Sequence, residues 1–211
     1  MKYHELLDIL EGESLFSSAL ILSGDVRTNK IRKQLSRWTK AGKIHSLRHG
    51  LYLLAETYRK RNPHPFVVAN RMVQGSYVSC QSALAFHGMI PESLHAVTSV
   101  TVRRPGSWNT VLGRFEYRHV KSEFFHGYLL TDLGQEEKAF IALPEKALLD
   151  LFYLVPKSDS MAYVQELRLS FNDSFDWDRL FSTASHSPKL LRAVNNTRRL
   201  YDQEREGQRP S

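Results

Sequence analysis

The residues best suited to chemistry cluster between positions 26 and 55. That window holds Arg27, Lys30, Arg32, Lys33, Arg37, Lys40, Lys43 and Arg48, and no acid. A solvated helix face usually mixes signs, so thirty residues of one sign predict a polyanionic partner. Thr28, Asn29, Ser36 and His49 lie among these cations and add neutral hydrogen-bonding groups. Arg and Lys donate to guanine O6 and N7, and an amide such as that of Asn29 matches adenine; a reader of duplex DNA needs this set.

Three other groupings have chemically useful types and fail on spacing. His45 and His49 are four apart; on a strand they share a face but stand roughly 13 Å apart, so no metal site is expected. Glu145, Lys146 and Asp150 have the types a metal-dependent nuclease uses. On a helix, however, Glu145 and Lys146 diverge by about 100° and Glu145 and Asp150 by about 140°. Glu145 is expected to serve the helix N-terminus, and Lys146 or Asp150 to pair locally or with a neighbouring element. Ser79, Cys80 and Ser82 precede His87 without a glycine elbow or a third partner. Cys80 reads instead as a small buried apolar residue. Glycine-rich phosphate loops, zinc spacings and EF-hand patterns are missing from the sequence. No catalytic residue, metal or cofactor is therefore expected.

The basic window needs elements to hold it. Tyr3, Leu6, Leu7 and Leu10 have helical spacing, closed by Gly12. Ser14 predicts the N-cap of a second short helix carrying Leu15, Phe16, Ala19, Leu20 and Leu22, and Ser23-Gly24-Asp25 predicts a turn. A third helix is predicted from Thr28 to Ala41, with Gly42 as its C′ residue. Ile31, Leu35 and Trp38 form its apolar stripe, opposite Asn29, Lys33, Ser36, Arg37 and Lys40, with Lys30 and Arg32 on the flanks. Ile44, Leu47, Leu51 and Leu53 predict a hairpin ending near Ala55, turning at Arg48-His49-Gly50. This order predicts a winged helix-turn-helix over residues 1–57. Asn29, Lys33, Ser36 and Arg37 would face bases or their margins. Arg27, Lys30, Arg32, Lys40 and Lys43 would hold phosphates, with Thr28 at the helix start and Arg48 and His49 at the wing tip.

Length and composition fit that frame. The chain has 211 residues, 42% of them apolar and 24% charged, which excludes a mostly disordered chain. Its net charge of +7 is uneven: residues 1–60 carry 11 Lys/Arg against 6 Asp/Glu, whereas residues 136–211 carry 11 against 12. Every apolar stretch is too short for a membrane span, and Met1–Leu10 carries Glu5 and Asp8 where a secretory leader would be apolar. The single cysteine cannot form an internal disulfide and predicts a cytoplasmic home. Residues 56–65, with Pro63 and Pro65, read as a connection. A second domain is predicted over 66–200, of α+β class. Its small, mostly antiparallel sheet has strands near 77–79, 95–103, 114–120, 124–130 and 139–142. Helices are predicted near 66–73, 81–87, from 143, and around 161–169, 176–184 and 188–200. The tail, 201–211, is expected to fray.

Several segments resemble the AbiEi antitoxin family. The first is Leu35-Ser36-Arg37-Trp38 with Gly42-Lys43-Ile44 and Arg48-His49-Gly50-Leu51-Tyr52. The others are Tyr77-Val78-Ser79-Cys80-Gln81-Ser82-Ala83-Leu84 with His87-Gly88, and Ala142-Leu143-Pro144-Glu145-Lys146-Ala147-Leu148-Leu149-Asp150. The resemblance covers roughly residues 5–155. It implies a bacterial transcriptional repressor that acts as the antitoxin of a type IV, abortive-infection (phage-defence) operon. It implies binding to promoter inverted repeats, with a homodimer on DNA as one arrangement. The functional partner would be a nucleotidyltransferase-like toxin, countered without a stable complex. Three alternatives stay open: a stand-alone regulator, a nucleic-acid-processing enzyme docked by its winged helix, and a module that uses the winged helix to bind protein.

Overall fold

A computed structural model describes residues 1–22, 28–91 and 95–207. The predicted Ser23-Gly24-Asp25 turn and Arg27 lie outside the described residues, and Thr28 is described by its backbone alone. The chain is α+β, with two sheets and nine α-helices among the described residues. No described helix is long and apolar enough to cross a membrane.

The N-terminal unit runs α1 (Tyr3–Leu10), β1 (Leu15–Ser17), α2 (Ser18–Leu22), α3 (Thr28–Lys40), β2 (Ile44–Arg48) and β3 (Leu51–Leu54). Its antiparallel sheet has the order β1-β3-β2. The helix predicted from Ser14 begins later, at Ser18: residues 15–17 form a strand, with Leu15 opposite Leu53 and Phe16 opposite Tyr52. The cause is that this sheet is buried on both faces. Leu15, Leu47, Leu51 and Leu53 join the core of the second unit, whereas Phe16, Ile44 and Leu54 join the core under α1 and α3. A strand buried on both sides loses its alternation and reads like part of an apolar helix. Each leucine buried between the two units contributes about 1.5–3 kcal/mol.

The second unit is built on a six-stranded sheet of order β6-β7-β5-β4-β9-β8. Its strands are β4 (Ser76–Val78), β5 (Ala96–Thr101), β6 (Gly106–Thr110), β7 (Gly113–His119), β8 (Tyr128–Asp132) and β9 (Lys138–Ala142). The sheet is mixed: β4/β9 and β5/β7 are parallel and the other three pairings antiparallel. α4 (Pro65–Met72), α5 (Cys80–Phe86) and α6 (Pro144–Leu154) pack on it, followed by α7 (Met161–Glu166), α8 (Trp177–Ala184) and α9 (Pro188–Gly207). Pro144 sits in the first turn of α6, where its missing N–H costs nothing.

Three expectations change here. β6 was not predicted, because as an edge strand it buries little: Ser107 and Asn109 are exposed and only Trp108 is large and apolar. The strand predicted at 124–130 begins instead at Tyr128, after a 3₁₀ turn over Ser122–Phe124. The start of the predicted tail is helical, and its residues 208–211 lie outside the described residues. α9 continues to Gly207, because the Tyr201 ring packs on Phe171 and Trp177 and Arg198 pairs with Asp202 one turn on.

Candidate nucleic-acid interface

The geometry of α3 follows from its sequence. Ile31, Leu35 and Trp38 are 3%, 1% and 5% exposed and pack against Leu6, Leu10 and Ile44. The opposite face presents Asn29, Lys33, Ser36, Arg37 and Lys40, with Lys30 and Arg32 on its flanks, all exposed. The helix ends in a Schellman motif: Lys43 N–H donates to Trp38 O at 2.9 Å and Gly42 N–H to Thr39 O at 3.1 Å. Gly42 adopts φ +67°, a conformation that favours glycine. Arg37 and Lys40 lie in the last turn, where the helix dipole favours cations. Seven exposed polar or cationic side chains thus stand on one rigid element above an apolar base.

The remaining sequence-predicted residues divide. His49 is exposed in the β2–β3 turn. Lys43 is half-buried, with Nζ 4.8 Å from the centroid of the Tyr3 ring, and its carbonyl accepts the Tyr3 hydroxyl at 2.9 Å. Burial, with Tyr58 adding to it, pushes that hydroxyl up to about 12. Lys43 therefore sits at the margin of the basic face.

Arg48 is the clear departure. Its guanidinium donates to the carbonyl of Met72 at the end of α4 and lies 5.0 Å from the centroid of the Trp108 ring on β6. Both groups belong to the second unit. A bulge in β2 between Ser46 and Arg48 shifts the register there. The side chain expected at a phosphate is half-buried and ties the hairpin to its neighbour. Trp108 and Met72 were missed as its partners; the one signal was a large aromatic in an otherwise polar segment.

The catalytic-looking residues of α6 form a buried network. Lys146 Nζ pairs with Asp150 Oδ1, while Tyr77 and Ser79 donate to Oδ2 at 2.9 and 2.7 Å. Burial raises the Asp150 carboxyl above its ordinary range, against the opposing pull of Lys146, Ser79 and Tyr77. The network ties β4 and the start of α5 to α6. The expectation of local pairing for Lys146 and Asp150 thus matches the geometry. Glu145 does more than serve its own helix: Oε1 accepts the backbone N–H of Asp176 at 2.8 Å, bracing the start of α8. Cys80 is 2% exposed with φ +53°, and burial, with the Asp150 charge adding to it, pushes its thiol up, which holds it protonated. His87 is engaged with a backbone carbonyl, its Nε2 at 2.8 Å from Ala142 O. Among the described residues no group of three or more His, Cys, Asp or Glu could hold a metal ion.

Compared with known proteins, the chain matches no family model and no curated protein.

Proposed function

We propose that this chain is a sequence-specific DNA-binding transcriptional repressor whose N-terminal unit is a winged helix-turn-helix. One observation carries the reading. α3 buries Ile31, Leu35 and Trp38 and exposes Asn29, Lys30, Arg32, Lys33, Ser36, Arg37 and Lys40 with no acid among them. A helix so divided suits a DNA major groove, with one face seated on a core and the other offering donors to guanine and an amide to adenine. The element order α1-β1-α2-α3-β2-β3, with its three-stranded β1-β3-β2 sheet, supports the same reading. Asn29, Lys33, Ser36 and Arg37 contact bases or their margins; Lys30, Arg32, Lys40 and His49 hold phosphates.

The resemblance of the Ser79–Leu84 and Pro144–Asp150 segments to the AbiEi family extends the proposal. On that reading the chain is the antitoxin of a type IV operon and represses its own promoter. The second unit then orients the reading head or acts against a nucleotidyltransferase-like toxin. The test is a gel shift on the promoter upstream of the gene. Lys33→Ala and Arg37→Ala should each weaken specific binding; unchanged shifts for both would sink the recognition-helix assignment. Turnover of labelled DNA or RNA by the pure protein with Mg²⁺ would sink the repressor-only reading.

A further inference from the structure

We propose that the turn Arg103-Arg104-Pro105, which links β5 to β6 in the second unit, clamps DNA phosphates beside the hairpin, where the fold has withdrawn Arg48. The proposal rests on the DNA-reading assignment of α3. Arg48 leads to the turn by two routes. Its guanidinium lies over Trp108, and the Trp108 ring lies so close to Gly106 that an added Cβ there would stand 2.9 Å from it. Gly106 directly follows Pro105. The same guanidinium donates to Met72 O at the end of α4. Three residues on, the Gly75 carbonyl accepts Thr101 Oγ1 at 3.1 Å, and Thr101 Oγ1 accepts the Arg103 N–H at 3.1 Å. The hairpin turn and the arginine turn are therefore neighbours on one end of the large sheet.

The arginine turn has the properties of a phosphate clamp. Its backbone is fixed on both sides of Arg103, by Thr101 Oγ1 at the N–H and by His119 Nδ1 at the carbonyl, 3.2 Å away. A carbonyl only accepts, so Nδ1 carries the hydrogen and Nε2 of the exposed His119 faces outward as a further polar group. Both arginine side chains are exposed, and residues 101–115 contain no acid. Among the described residues neither Arg103 nor Arg104 is in an ion pair, whereas Arg114 and Arg118 share the carboxylate of Glu116 at 2.6 and 3.1 Å. Two unpaired guanidiniums on a pre-organised turn beside the hairpin suit a polyanionic backbone. The second unit thereby supplies sequence-independent contacts that set register while α3 reads bases.

The test is a salt titration by fluorescence anisotropy on a mixed-sequence duplex of about 30 base pairs, where phosphate contacts supply the binding. Each lost phosphate contact makes the log K against log salt slope shallower by about 0.9 and costs roughly eightfold in affinity at 0.1 M salt. Arg103→Ala with Arg104→Ala should therefore make the slope shallower by about 1.8 and weaken binding by up to about sixtyfold. Arg103→Lys with Arg104→Lys should restore most of it, and Arg114→Ala should leave it unchanged. All are exposed positions, so thermal melts should match the parent. If the double alanine variant keeps the parent slope while Lys33→Ala/Arg37→Ala loses the preference for the promoter duplex over the mixed-sequence one, the clamp is overturned and the reading of α3 stands. If Lys33→Ala/Arg37→Ala keeps the parent's preference for the promoter duplex, the reading of α3 fails and takes this proposal with it.

Discussion

Replacing Arg48 by Ala separates a DNA contact from a structural tie. The structure gives the side chain two partners, the Met72 carbonyl and the Trp108 ring, both in the second unit. A hydrogen bond from a charged donor is worth about 1.5–3 kcal/mol and a partly solvated cation–π contact about 0.5–1 kcal/mol. The side chain is half-buried, so water recovers part of this. The expected loss is about 2–3 kcal/mol. In a chain of this size that lowers the melting temperature by about 4–12 °C. Urea unfolding should show the same loss, with Trp108 fluorescence changing as the ring loses its cap. Arg48→Lys should recover only part, because an ammonium cannot both lie flat on the indole and hold the guanidinium's geometry at the carbonyl. The salt slope of DNA binding should stay at the parent value. A slope shallower by about 0.9 with unchanged stability would place Arg48 on a phosphate and refute the docking argument.

The buried network and the helix cap offer two further tests. Asp150→Ala leaves Lys146 buried without its partner and two hydroxyls without their acceptor, so it should destabilise by about 3–5 kcal/mol. Asp150→Asn keeps an acceptor for Tyr77 and Ser79 and should cost less in the same urea titration; equal losses would show that the hydroxyl bonds contribute nothing. His64 caps α4, its Nδ1 accepting the Phe66 N–H at 3.1 Å, and burial, opposed by Glu137, lowers its folded-state pKa below 6.5. The folded state therefore binds fewer protons, so the contribution of His64 is complete above pH 6.5 and is lost as pH falls through the depressed value. His64→Asn keeps the cap and removes the titration, so its stability should be flatter between pH 7 and 5 than the parent's; identical pH profiles would contradict the assignment.

The amphipathic helices were the legible part of this fold. Ile31, Leu35 and Trp38 mark one buried stripe, and the cations between them have nowhere to go but outward. The start of α6 was equally plain, since Pro144 and Glu145 both belong in a first turn. What the chain hid was contact between its two units. Leu15 and Phe16 are adjacent because a strand there is buried on both faces, a pattern that helical spacing imitates. Arg48 carries the same charge as its neighbours, and only the position of Trp108, 60 residues away in sequence, decides that it turns inward. β6 was hidden for the opposite reason, since an edge strand with polar Ser107 and Asn109 has no apolar alternation to read. Within the candidate interface, the helix residues could be named from spacing, whereas the hairpin residues needed long-range packing.

The most direct test of the central claim is equilibrium binding of the full chain to a labelled duplex carrying the promoter upstream of its gene, with a scrambled duplex beside it. Tighter binding to the promoter is expected, with Lys33→Ala and Arg37→Ala each weakening that specific binding by about 1–3 kcal/mol. Loss of preference for the promoter in these variants, with binding to the scrambled duplex less affected, would mark the two residues as base readers. Binding to promoter and scrambled duplex that is equal, and equally indifferent to Lys33 and Arg37, would contradict it.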